Sequence, residues 1–204
     1  MLEWITNTIN SLGYWGIALL MFLENLFPPI PSELIMPLAG FTARATPEKL
    51  NIFGVFVAGL FGSVLGALIW YYPGKLLSEK RLKALADKHG KWIAISSKDI
   101  TKARDWFNKQ GNKAVLMGRL VPGIRTLISV PAGMSNMHLL PFLFYTTLGS
   151  AAWVGLLTYS GYLLGSQYEL VDKYLAPVSK IVLGSIVLVC VVWVFQRRQK
   201  SSRK

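Results

Sequence analysis

Five apolar blocks dominate this sequence and constrain its fold more than any other feature. They cover residues 13–41, 52–77, 113–137, 139–166 and 175–195. A helix needs about 20 consecutive apolar residues to cross a hydrocarbon core of roughly 30 Å. The second, fourth and fifth blocks are long enough and carry almost no charged side chains. These three blocks predict transmembrane helices, and the whole sequence predicts an all-α integral membrane protein.

The first and third blocks are each interrupted by proline. The prolines that interrupt them are Pro28, Pro29, Pro31, Pro122 and Pro131. Proline lacks a backbone donor and disfavours the helical conformation at the residue before it. Neither half of a block is then long enough to cross, and broken backbone at membrane depth is stable only inside protein or beside water. We predict that 13–41 and 113–137 are re-entrant hairpins, with one long kinked helix in each block as the alternative.

The distribution of basic residues predicts the orientation in the membrane. Residues 1–43 contain no Lys or Arg, whereas the segment 79–112 contains nine of them against four acids. Cytoplasmic loops carry an excess of Lys and Arg, so 79–112 and the C-terminal tail QRRQKSSRK are predicted to be cytoplasmic. Helix 52–77 would then run inward, helix 139–166 outward and helix 175–195 inward again.

The cytoplasmic segment 79–112 also has an amphipathic pattern. Apolar residues recur in it at helical spacing, while Lys and Arg occupy the other positions. This pattern predicts helices on the cytoplasmic membrane surface, where basic side chains attract anionic lipid. A solvated linker is the alternative. No nucleic-acid recognition motif accompanies the formal net charge of +12, so a nucleic-acid partner is not predicted.

An internal repeat relates the two halves of the chain. Shifted by 87 residues, FGSVLGALIWYYPGKLL at 61–77 aligns with LGSAAWVGLLTYSGYLL at 148–164. The identical pairs are Gly62/Gly149, Ser63/Ser150, Tyr72/Tyr159, Gly74/Gly161, Leu76/Leu163 and Leu77/Leu164. With a small gap, Pro37–Gly40 also aligns with Pro131–Gly133. Each unit is a hairpin followed by a helix, and the units have opposite orientations, which predicts the inverted repeat found in many transporters.

Four charged residues bracket the two proline breaks. Glu24 and Glu33 flank the first break, and Arg119 and Arg125 flank the second. A charge inside the membrane costs about 2.5–3.5 kcal/mol, so the four side chains should meet in pairs or in a wet cavity. Guanidinium groups bind phosphate through forked donors, and a carboxylate in such a place can carry a proton. We predict lipid phosphate binding by the arginines and proton coupling by the acids, with structural salt bridges as the alternative.

The motifs FLENLFPPIPSE and GRLVPGIRTLISVPAG resemble the two signature hairpins of the DedA family, also called the SNARE-associated or VTT-domain family. The resemblance implies a multi-pass protein of the bacterial inner membrane, with two re-entrant hairpins in an inverted repeat. It implies translocation of undecaprenyl phosphate or a phospholipid, often linked to the proton motive force. It also implies that Glu24, Glu33, Arg119 and Arg125 are essential. The second acid is aspartate in some members, and Glu33 is one methylene longer.

The predicted function is therefore a flippase or scramblase for a phosphate-bearing lipid, with protons as a second partner. The expected lipid is undecaprenyl phosphate or a phospholipid such as phosphatidylethanolamine, and a homo-oligomer is compatible with the sequence. A membrane enzyme acting on lipid phosphates and a small-ion or proton antiporter remain the alternatives. The sequence has no H-E-x-x-H or G-x-S-x-G signature, which favours transport over hydrolysis. Neither a cofactor nor a metal site is predicted, since the two histidines stand alone and there is one cysteine.

Overall fold

The computed structural model describes residues 2–26, 31–77, 81, 83–84, 97–121 and 124–164. All regular secondary structure in this described part is helical, which confirms the prediction of an all-α fold. Its helices are α1 (Leu2–Leu12), α2 (Tyr14–Leu26), α3 (Ser32–Ala45), α4 (Ile52–Leu76), α5 (Ser97–Gln110), α6 (Lys113–Arg119), α7 (Ser129–Met134) and α8 (Leu139–Leu164). The predicted helix 175–195 and most of 78–96 lie outside the described residues. Helix α1 corresponds to no predicted element.

Helices α4 and α8 are the two long helices, and most of the shorter ones pack against them. They have 25 and 26 residues and are apolar and long enough to cross a membrane. The two helices are antiparallel to each other, because Gly59 meets Val154 and the hydroxyl of Ser63 donates to that of Ser150 over 3.5 Å. Ser63 and Ser150 are 87 residues apart. Two positions matched by the internal repeat therefore meet each other at this crossing.

Helix α2 runs parallel to α4 and ends halfway along it. The ring of Tyr14, at the start of α2, lies against Gly54, near the start of α4. The side chain of Asn25, at the end of α2, lies against Gly66 in the middle of α4. At Gly54 and Gly66 a Cβ would collide with these side chains, so glycine allows the close approach of the two helices.

Helix α3 runs parallel to α8 and begins halfway along it. The indole nitrogen of Trp153, in the middle of α8, donates to the hydroxyl of Ser32 at the start of α3 over 3.4 Å. The guanidinium of Arg44, at the end of α3, donates to the hydroxyl of Tyr162 near the end of α8 over 3.2 Å. Because α4 and α8 are antiparallel, α2 and α3 are antiparallel too. The chain therefore reverses between α2 and α3, level with the middle of both long helices.

Glycines bring α3 into backbone contact with α8. A Cβ at Gly40 of α3 would collide with the carbonyl oxygen of Thr158, and a Cβ at Gly161 of α8 would collide with that of Pro37. Only a residue without a side chain lets two helix backbones approach so closely. This contact joins the short helix of the first repeat unit to the long helix of the second.

A matching contact joins α7 to α4. A Cβ at Gly133 of α7 would collide with the carbonyl oxygen of Tyr71, and a Cβ at Gly74 of α4 would collide with that of Val130. Tyr71 and Gly74 are the partners of Thr158 and Gly161 under the 87-residue shift. At both contacts, α3 on α8 and α7 on α4, a short helix of one repeat unit thus packs on the long helix of the other unit.

The predicted breaks differ in how they relate to the helices. Pro31 immediately precedes α3 as its N-cap residue. Pro131, predicted to break a helix, is instead the third residue of α7. The first amides of a helix have no partner within it, so proline removes no hydrogen bond there. The other interrupting prolines, Pro28, Pro29 and Pro122, lie outside the described residues.

Helices α1 and α5 are amphipathic and pack on this arrangement through one face. Helix α1 buries Ile5 and Ile9 completely. Gly13 then turns the chain into α2 with φ +56, a left-handed conformation that glycine adopts without strain. Helix α5, within the predicted cytoplasmic segment, buries Phe107 in a core cluster with Ile128 and Phe142.

Candidate functional site

Three of the four predicted site residues meet where α2 ends and α3 begins. Arg125 lies in the turns between α6 and α7, and its Nη2 donates to Oε1 of Glu24. The same nitrogen lies 4.0 Å from Oε2 of Glu33. The side chains of Arg125 and Glu24 are 12% and 9% exposed, and that of Glu33 is 24% exposed. One guanidinium thus lies between carboxylates from both sides of the chain reversal, and Glu33 is the more accessible acid.

The last turn of α2 is held against α4, which positions Glu24. The amide nitrogen Nδ2 of Asn25 donates to the carbonyl of Met21 over 3.0 Å. The indole nitrogen of Trp70 on α4 donates to the carbonyl of Asn25 over 2.6 Å. Carbonyl groups in the last turn of a helix lack partners within it, so Trp70 satisfies a group that would otherwise be unpaired. These contacts determine where the neighbouring carboxylate of Glu24 lies.

Trp153 and Ser32 also belong to this site, and the sequence did not identify either of them. The Arg125 guanidinium lies 5.7 Å from the centroid of the Trp153 ring, within the range of a cation–π interaction. Trp153 also donates to Ser32, the residue before Glu33. Trp153 lies in an apolar helix whose composition does not indicate a site. No pattern in the sequence marks Trp153, which aligns with the dissimilar Gly66 under the 87-residue shift.

Arg119 lies in different surroundings. It is the last residue of α6 and is 2% exposed. Its Nη2 donates to the hydroxyl of Ser129 over 2.8 Å, and its Nε makes no hydrogen bond to any described residue. Within the part of the chain that the structure describes, no carboxylate forms an ion pair with Arg119. Of the two predicted arginines, Arg125 is therefore the one that lies against the two acids.

The arrangement of Glu24, Glu33, Arg125 and Trp153 is called here the Arg125 cluster. With every group ionised, two carboxylates face one guanidinium and leave one negative charge in a largely buried place. One cation is thus shared by two acids from α2 and α3.

Comparisons with known proteins identify a family and several bacterial relatives. The VTT domain family matches residues 30–163 of this chain. A Lactococcus lactis subsp. lactis protein named alkaline phosphatase-like protein is 41% identical over 97% of this chain and 94% of its own. Undecaprenyl phosphate transporter A of Staphylococcus aureus is 36% identical over 98% of this chain and 97% of its own. Protein DedA of Escherichia coli is 28% identical over 90% of this chain and 84% of its own. No solved structure matches the chain with significance.

Proposed function

This chain belongs to the VTT-domain family, to which DedA proteins also belong, and we propose that it moves a phosphate-bearing lipid across a bacterial membrane. One observation carries the proposal: Arg125 lies between two carboxylates at a chain reversal halfway along two membrane-length helices. Transporters built from inverted repeats bind their substrates where helices are interrupted near the middle of the membrane. The name of the Staphylococcus aureus relative supports undecaprenyl phosphate as the lipid, and a phospholipid such as phosphatidylethanolamine is the other choice.

In this proposal the α2–α3 and α6–α7 segments are re-entrant hairpins of an inverted repeat. The antiparallel course of α2 and α3, which reach only the middle of α4 and α8, supports the first hairpin. The matching glycine contacts of α3 on α8 and of α7 on α4 support the relation between the two units. The lysines and arginines of 79–112 support a cytoplasmic location for that segment and for the C-terminus.

Phosphate would bind to the guanidinium groups of Arg119 and Arg125, and Glu24 or Glu33 would carry the proton. A carboxylate that is already paired with Arg125 competes with phosphate for the same donors. Protonation of one acid weakens this competition, so proton uptake would favour lipid binding. Moving one charge through a membrane potential is worth about 2.3 kcal/mol per 100 mV, which is enough to bias the two states of a carrier more than tenfold.

The proposed orientation predicts the labelling of two exposed lysines. Lys49 lies before α4 and Lys109 lies in the last turn of α5. With Cys190 replaced by serine, Lys49→Cys is expected to react with a membrane-impermeant thiol reagent in intact cells. Lys109→Cys is expected to react only after the cells are permeabilised, because α5 belongs to the basic cytoplasmic segment. Equal labelling of both positions in intact cells would contradict the orientation.

The proposed coupling predicts the behaviour of two conservative variants. Glu24→Gln and Glu33→Gln are expected to insert, to bind lipid and to lose the gradient-dependent part of lipid movement. Glutamine keeps the size and hydrogen bonding of glutamate but cannot exchange a proton. Each variant leaves the other acid to pair with Arg125, so both proteins should remain folded. The measurement is the accessibility of labelled polyprenyl phosphate headgroups in proteoliposomes, with and without a pH gradient.

Glu48→Gln is the matched control, since Glu48 is exposed and lies outside the Arg125 cluster. It should move lipid as the unsubstituted protein does under every gradient. Wild-type gradient dependence in both cluster variants would show that proton coupling does not use Glu24 and Glu33. Headgroup accessibility no greater than in protein-free liposomes would refute lipid movement itself.

The name of the Lactococcus lactis relative favours a second candidate, an enzyme that acts on lipid phosphates. In that case an acid of the Arg125 cluster would serve as base and the arginines would hold the phosphate. Release of inorganic phosphate from polyprenyl phosphate by the purified protein distinguishes the two candidates. We expect no release above the background of an Arg125→Gln control.

A further inference from the structure

A second buried polar cluster lies around Arg119, on α6, α7 and α8. Two observations set it apart from the Arg125 cluster. The Arg119 guanidinium is bonded to a neutral hydroxyl, that of Ser129, and Ser129 is itself fully buried. Among the described residues, Nε of Arg119 has no hydrogen-bond partner. A buried cation whose partner is a neutral hydroxyl keeps an uncompensated charge, which is unfavourable unless an anion joins it.

Thr146 of α8 supplies another unsatisfied buried group. It is fully buried, and its Oγ1 makes no hydrogen bond to any residue that the structure describes. Thr158, buried on the same helix, shows the common solution, since its hydroxyl donates to the carbonyl of Val154 over 2.7 Å. Thr146 therefore departs from the usual pattern for a helical threonine, in which the hydroxyl bonds to the preceding turn.

Arg119 and Thr146 are brought together by Gly149. A Cβ at Gly149 would lie 2.6 Å from Cβ and 3.3 Å from Cγ of Arg119, so the arginine side chain passes directly over this glycine. Thr146 lies three residues earlier on α8, and residues three apart share one face of a helix. Thr146 and the inner part of the Arg119 side chain thus lie on the same side of α8, about one helical turn apart.

We propose that Arg119, Ser129 and Thr146 form a buried subsite for a phosphate group. The Nε and Nη2 atoms of Arg119 form one edge of the guanidinium, the geometry that binds an oxyanion through two parallel hydrogen bonds. The hydroxyls of Ser129 and Thr146 donate to further phosphate oxygens. The inference rests on the proposed function and makes it more specific: Arg119 and the two hydroxyls hold the phosphate in a buried subsite, whereas Arg125 is shared between the phosphate and the two acids. The phosphate comes from a lipid headgroup or from free phosphate.

Affinity measurements on the purified full chain test this subsite. The probes are a polyprenyl monophosphate, the polyprenol of the same length and inorganic phosphate, titrated into the protein in lipid nanodiscs. We expect Arg119→Gln to weaken polyprenyl phosphate binding at least about tenfold, and Ser129→Ala and Thr146→Val to weaken it about three- to tenfold. Binding of the polyprenol should not change. Competition by inorganic phosphate identifies the free anion as a ligand, and a lack of competition restricts the subsite to lipid; both results support it.

The controls are matched in chemistry and burial. Ser63→Ala removes a buried hydroxyl that bonds to Ser150, and Thr158→Val removes one that bonds to its own helix. Both should leave the affinity unchanged. Thr146→Val preserves shape, so it tests the subsite even where Arg119→Gln unfolds. If the three subsite variants bind as tightly as wild type while Arg125→Gln does not, the subsite is wrong and the proposed function stands. If wild type binds no phosphate-bearing lipid, both are wrong.

Discussion

Replacing Glu24 and Glu33 together by glutamine is expected to lower the free energy of unfolding by about 3–5 kcal/mol, because Arg125 would be left buried without a carboxylate. Either single replacement should cost much less, since Arg125 contacts both acids and keeps one of them. The loss in the double variant should therefore exceed the sum of the single losses by about 0.5–3 kcal/mol. Denaturant titration of the four proteins in mixed micelles measures this coupling.

Asp105→Asn is the control for the loss of a paired carboxylate at the surface. Asp105 forms an ion pair with Arg104 over 2.9 Å, and its side chain is 52% exposed. Exposed ion pairs contribute about 0–1 kcal/mol, so this variant should unfold almost as wild type does. If the stability losses of Glu24→Gln and Glu33→Gln simply add up in the double variant, Arg125 does not pair with both acids. That result would also remove the reason to expect that each single variant keeps its fold in the transport assay.

Alanine at the glycines that join the two repeat units should destabilise the protein at two separate contacts. In Gly161→Ala the new methyl group would collide with the carbonyl oxygen of Pro37, and in Gly74→Ala with that of Val130. Backbone atoms cannot move aside as a flexible side chain does, so each change should cost about 3 kcal/mol, the upper part of the range for overpacking. Because the contacts are separate, the double variant should lose about the sum. Thermal unfolding in detergent and denaturant titration measure the losses.

Gly155→Ala provides a control on α8 itself. A Cβ at Gly155 would lie 3.4 Å from Cε2 of Phe56, an ordinary van der Waals distance. Alanine is favoured over glycine in a helix by about 1 kcal/mol, so this variant should be as stable as wild type or more stable. If Gly161→Ala were as stable as Gly155→Ala, the backbone contact between α3 and α8 would be wrong. If Gly74→Ala were as stable as Gly155→Ala, the backbone contact between α4 and α7 would be wrong.

Local properties of the sequence were sufficient to predict the class of fold. The apolar runs 52–77 and 139–166 contain α4 and α8, because helix formation in a long apolar segment depends on residues close in sequence. The motifs around the prolines were sufficient to identify the family, which the match over residues 30–163 confirms. Helix α1 was not predicted, since its buried face, Ile5 and Ile9, is too short to stand out against the polar residues around it.

In the charged site, the sequence predicts which residues are involved, and the tertiary structure decides which of them pair. The sequence located four charged residues at two proline breaks, because a charge in an apolar block is visible without a structure. It treated Arg119 and Arg125 alike, whereas packing brings Arg125 to the acids and leaves Arg119 with Ser129. Arg125 and Glu24 are 101 residues apart, so their contact depends on how the helices pack and not on either motif.

The repeat illustrates the same division. Sequence alignment matched Ser63 with Ser150 and Gly74 with Gly161, because repeated units keep similar residues at similar positions. It could not show that the matched serines touch each other, or that each short helix packs on the long helix of the other unit. Nor could it show that Trp153 lies over Arg125. Such contacts follow from the crossing of α4 and α8 and the backbone approach at the glycines, and these distances exist only once the chain is folded.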